Sequence, residues 1–72
     1  MNKEVLIKKV GSNLRQRRLS KGISLIKLSN ESGIDYSLLS RIENGKINTT
    51  IYQLYKISKR LDITMSALLT DP

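Results

Sequence analysis

Apolar residues recur along this chain at the three- and four-residue spacing of helices, and each run is interrupted by a glycine or a capping residue. Ile7, Val10, Leu14 and Leu19 form the first stripe, which predicts a helix from about Lys3 or Glu4 to Ser20, with Gly22 placed to end it. Gly11 lies inside that helix, where glycine costs about 1 kcal/mol relative to alanine, so a close approach of another helix is expected there. Leu25 and Leu28 open a second segment. Ser24 is its N-cap and Gly33 its stop, because glycine enters the left-handed region without a Cβ clash. The cap is half of a capping box, since Lys27 stands where Glu or Gln would complete it. Asp35 caps a third segment, with Leu38, Leu39 and Ile42 inward and Gly45 closing it.

Further on, Thr49 or Thr50 caps a fourth helix that turns Ile51, Leu54, Ile57, Ser58 and Leu61 toward the core and ends at Asp62. Thr64 caps a short fifth one, whose apolar face is Met65, Leu68 and Leu69. The expectation is an all-α, compact five-helix domain over residues 1–72. Within it, two short helices joined by a glycine-containing turn make a helix-turn-helix at about residues 24–45. Seventy-two residues is near the size at which one core is just sufficient. Ile63, Met65, Leu68, Leu69, Tyr52 and Tyr55 are more apolar surface than so small a core can cover, which predicts pairing with a second copy through this end.

The third segment leaves Tyr36, Ser37, Ser40, Arg41 and Asn44 outward. Each can hydrogen-bond or stack, and the Arg41 guanidinium is a fork that matches the O6 and N7 edge of guanine in a major groove. Any solvated helix face carries such residues; charge placement separates the two interpretations. The net charge is +7. Lys3, Lys8, Lys9, Arg15, Arg17, Arg18 and Lys21 face only Glu4 in the first 22 residues, while Lys27, Arg41 and Lys46 are balanced by Glu31, Asp35 and Glu43 in the helix pair. A neutral reading helix beside a basic flank is the division expected when phosphates are held by one element and bases by another. A basic amphipathic first helix could also meet acidic lipid, but it would have to leave a domain that needs its stripe as core.

On these residues the chain resembles the Cro/repressor, or XRE-like, helix-turn-helix family of lambdoid phage repressor type. The resemblance spans Gly11 to Leu69 and is carried by GSNLRQRRLSKGIS, KLSNESGI, LLSRIENGK and TTIYQLYKISKRLDITMSALL. It implies a dimeric regulator, repressor or controller, that binds a palindromic operator on double-stranded DNA; the cytoplasm is the expected compartment because the chain has no Cys and no visible export or membrane-spanning segment. By matching position, it places Tyr36, Ser37 and Arg41 on bases with Ser40 at the edge of that set. Asn44, Lys46, Asn48 and Thr49 go to the sugar-phosphate backbone, with Arg15 and the helix N-terminus at Leu25 beside them. Leu25 departs from the family, which usually carries Gln there to brace on phosphate; only the backbone N–H remains for that contact. The resemblance also pairs Arg18 with Glu43 as a structural ion pair, and pairs the two copies through the residues named above.

Several functions recede on composition. There is no His and no Cys, no paired carboxylates and no glycine-rich phosphate loop, so an enzyme is not expected, nor a metal or cofactor. No apolar run approaches membrane-spanning length and no signal peptide is visible, so no membrane partner is expected. The alternatives within the same fold are an antitoxin with a protein partner and a protein-interaction module that has lost DNA binding; Leu25 favours the second, while Arg41, Lys46 and the basic first helix oppose it.

Overall fold

In a computed structural model, residues 1–70 are described; the last two positions of the expected domain lie outside them. Four α-helices follow in order, α1 at Lys3–Ser20, α2 at Leu25–Ser32, α3 at Tyr36–Glu43 and α4 at Ile51–Leu61, and a single 3-10 turn covers Met65–Leu68. The fifth helix of the sequence reading is therefore this short turn. Thr64 caps it, and Ala67 N–H bonds back three residues to the Thr64 carbonyl at 3.1 Å.

Local chemistry sets most boundaries. Asn2 accepts from Val5 N–H at the start of α1, Ser24 from Lys27 N–H at the start of α2, and Asp35 from Ser37 and Leu38 N–H at the start of α3. Thr50 opens α4 with a complete capping box, in which Gln53 reaches back to the Thr50 N–H. At the other end of α4, Asp62 takes the left-handed conformation usually left to glycine.

The core is a single cluster. Leu14, Leu28, Leu39, Ile42, Ile57, Leu61 and Leu68 are fully enclosed, with Val10, Ile23, Ile34 and Leu54 around them. α1 packs on α3 and on the 3-10 turn, while α2 lies between α3 and α4. Gly11 makes the first of these contacts possible. A Cβ there would run into the Ile42 carbonyl oxygen and lie 2.6 Å from that of Glu43.

Two inward assignments and one outward one are corrected. Leu19 is 55% exposed and Ile51 is 76% exposed. Both sit at helix ends, where the packing leaves them uncovered. Leu68 is fully buried beneath α1 and α4 and so is withdrawn from the surface expected to pair with a second copy.

Candidate nucleic-acid interface

The turn between α2 and α3 is fixed by short-range bonds. Gly33 is left-handed, its N–H bonds to the Ser29 carbonyl at 3.0 Å, and the Ser29 hydroxyl donates to the Ile34 carbonyl at 2.6 Å. Ile34 is thereby held in the core just before α3 begins. The orientation of α3 follows from its inward residues: Leu39 and Ile42 are buried and Leu38 is half-buried.

A second lock joins α3 to α1. Arg18 Nε donates to Glu43 Oε2 at 2.6 Å, Nη2 donates to Oε1 at 3.1 Å, and Nη1 donates to the Ile23 carbonyl at 2.8 Å. Both residues are buried. The hydrogen-bonded carboxylate of Glu43 holds the guanidinium above its ordinary pKa, against the opposing effect of burial. With both charges committed to each other and to a carbonyl, neither is offered to a ligand.

What α3 leaves outward is Tyr36, Ser37, Arg41 and Asn44, all exposed, with Ser40 half-buried between them. The Arg41 side chain takes no hydrogen-bond or ion-pair partner among the described residues. Asn44 is less free. Its Nδ2 donates to the Ser40 carbonyl at 2.9 Å, which fastens the side chain along the last turn of α3. The chain then leaves through Gly45 in the left-handed conformation, with Lys46 N–H returning to the Arg41 carbonyl at 2.9 Å. Lys46 and Asn48 project beyond it and are exposed. Thr49 differs, because its hydroxyl donates to Gln53 Oε1 at 2.6 Å and so has no proton to offer outward. On α2 the Leu25 side chain is half-buried against the core, while Arg15 on α1 is exposed.

The residues expected at a pairing face differ in exposure. Ile63 and Met65 are half-buried against the core, and Leu69 is exposed beside α1 and the start of α4. Tyr52 and Tyr55 stack at 6.5 Å between ring centroids on the outer side of α4, with the Lys56 ammonium 4.9 Å from the Tyr52 ring and the Lys59 ammonium 5.8 Å from the Tyr55 ring.

Two polar anchors escaped the sequence reading. Asn13 is buried and donates through Nδ2 to the Leu68 carbonyl at 3.0 Å and the Thr70 carbonyl at 2.6 Å, tying the 3-10 turn and the residues just after it to α1. Arg60 on α4 pairs with Glu31 on α2. The available signal for Asn13 was its place three residues after Val10 and beside Leu14, within the apolar stripe.

No helix among the described residues is long and apolar enough to cross a membrane. The helix-turn-helix family model matches residues 14–68. Among curated proteins, the HTH-type transcriptional regulator SinR of Bacillus licheniformis is 38% identical over 63 residues, which cover 86% of this chain; the match spans 57% of SinR. Among solved structures, the restriction-modification controller protein C.AhdI from Aeromonas hydrophila superposes with a TM-score of 0.83 at 34% identity, covering 86% of this chain and 94% of that one. SinR, the master regulator for biofilm formation, in complex with DNA superposes with a TM-score of 0.80 at 39% identity, covering 85% of this chain and 98% of that one. With more than half of its length matched, and with the glycine turn, the buried Arg18–Glu43 pair and the open face of α3 in place, the chain belongs to the helix-turn-helix family.

Proposed function

We propose that the protein is a sequence-specific DNA-binding transcriptional regulator that acts as a dimer on an inverted repeat, with α3 as the helix that enters the major groove. One observation carries this: the outward face of α3 presents hydrogen-bonding side chains, Arg41 among them without a partner, on a helix whose inner face is locked by Leu39, Ile42 and the Glu43 pair. SinR, to which the chain is similar, has been solved in complex with DNA.

In this reading Tyr36, Ser37, Ser40 and Arg41 meet base edges, with Arg41 on a guanine. Lys46, Asn48 and Asn44 meet the sugar-phosphate backbone, joined by Arg15 from the basic helix α1. Thr49 joins them through its main chain, since its hydroxyl is engaged with Gln53. At the start of α2 the backbone N–H groups of Leu25 and Ile26 point out of the helix end, and these serve a phosphate where the Leu25 side chain cannot. Two copies set their α3 helices about 34 Å apart, one turn of B-DNA.

The test is selection of bound sequences from random duplex DNA by the purified protein at near-physiological salt. Enrichment of an inverted repeat with half-sites about one helical turn apart is expected. Binding that shows no enrichment and disappears with modest salt would leave only a non-specific attraction of the basic α1 for phosphate, and would overturn the proposal.

A further inference from the structure

Residues 1–13 stand ahead of the segment matched to the family, which begins at residue 14, yet most of them belong to α1. Within α1, Lys8, Gly11, Arg15 and Arg18 recur at the spacing of one helical face. That face is laid on the carboxyl end of α3. Lys8 lies against Gly45, Gly11 lies against the Ile42 and Glu43 carbonyls, and Arg18 is bonded to Glu43. Of its three cations, Arg18 is therefore engaged. The side chains of Lys8 and Arg15 are exposed, with no hydrogen-bond or ion-pair partner among the described residues, and Glu4, a turn before Lys8, forms no ion pair with it. Two turns separate these two cations, about 10 Å along the axis.

Lys8 is fixed where most surface lysines are loose. A Cβ on Gly45 would lie 2.8 Å from Lys8 Cγ, so a side chain at position 45 has no room and the lysine stem crosses bare backbone there. The carbons are packed while the ammonium stays in water, the division usual for a lysine lying along a surface. A stem held in this way gives up less rotamer freedom when its ammonium meets an anion. Gly45 is flanked by Asn44 and Lys46, both exposed, and the Lys46 amide is tied back to the Arg41 carbonyl. Lys8 thus brings a positive charge from α1 to the loop that follows the reading helix.

We infer that Lys8 is a further DNA-backbone residue, its ammonium taking a phosphate next to the one met by Lys46, so that α1 and the exit of α3 grip the strand together. This rests on the DNA-binding reading above and adds to it a contact from outside the matched segment. The lysines of α4 are placed differently. Lys56 and Lys59 lie over the rings of Tyr52 and Tyr55 on the outer side of that helix, which packs on α2 and the 3-10 turn.

Titrations of the selected duplex at several salt concentrations test it, using wild type, Lys8→Met, Lys8→Arg, Lys46→Ala, the double variant Lys8→Met/Lys46→Ala and, as a control, Lys59→Met. Methionine keeps an unbranched stem on Gly45 and removes the charge, and far-ultraviolet circular dichroism verifies the fold. Lys8→Met should lower the slope of log affinity against log salt by about 0.9, and the double variant by about twice that, with the preference among sequences as in wild type. Lys8→Arg should restore the slope and Lys59→Met should leave it in place. A slope unmoved by Lys8→Met but lowered by Lys46→Ala overturns the contact and leaves the DNA-binding reading intact. Equal falls in Lys8→Met and Lys59→Met overturn it too, since net charge rather than position would then set the slope. A wild type that selects no site removes the DNA-binding reading itself, and this inference with it.

Discussion

The side chain of Lys8 lies across Gly45: a Cβ on that glycine would sit 2.8 Å from Lys8 Cγ and 3.1 Å from its Cα. The glycine is also left-handed, with φ at 67°. Alanine here meets both obstacles, a backbone conformation that costs a side chain about 1–2 kcal/mol and a neighbour whose main chain cannot withdraw. Gly45→Ala should therefore lower the stability by about 2 kcal/mol or more in urea unfolding, a larger loss than the same change at Gly22, where a Cβ meets nothing within 4 Å.

Glu43 and Arg18 should behave as a unit. Glu43→Gln leaves the guanidinium buried without its counter-charge and is expected to cost about 3 kcal/mol or more. Replacing both at once with apolar residues, Arg18→Met with Glu43→Leu, should cost clearly less than the sum of the single changes, which a double-mutant cycle in urea measures. The pH dependence has a definite sign. Because Glu43 raises the folded-state pKa of Arg18, that group's contribution is complete at every pH below the ordinary arginine range and fades only as pH rises through the raised value. Titration of Arg18 should thus leave stability untouched from neutral into moderately alkaline solution.

Arg41 and Lys46 lie close in sequence but should fail differently. Arg41→Ala is expected to lose about 1–3 kcal/mol on the selected site and to relax the preference at one base pair. Lys46→Ala should weaken binding to all duplexes alike and lower the slope of log affinity against log salt by about 1. Titrations at several salt concentrations, on the selected site and on a scrambled one, separate the two roles.

Asp62 offers a gain rather than a loss. It is a non-glycine residue in the left-handed region, and its carboxylate stands at the negative end of α4. Asn tolerates the same backbone and carries no charge, so Asp62→Asn should raise stability by about 0.3–1 kcal/mol, and by less at high salt.

The sequence by itself determined where the helices begin and end and what the middle of each buries. Ser24, Asp35 and Thr50 cap by bonds to residues two or three along, and Gly33 and Gly45 turn the chain by conformations open to them in any context, so these features are local and readable. The outward set on α3 follows from the same periodicity. Tertiary structure alone decided which apolar residues near the helix ends are covered, and it alone made the long-range polar ties. Periodicity marks Leu19 and Ile51 as apolar but not whether a neighbouring helix covers them, and both stay exposed. It likewise counted Leu68 as surplus, although α1 and α4 close over it. Asn13 with Leu68 and Thr70, and Glu31 with Arg60, join residues far apart in the chain, and only the packing of helices against one another brings such groups within bonding distance.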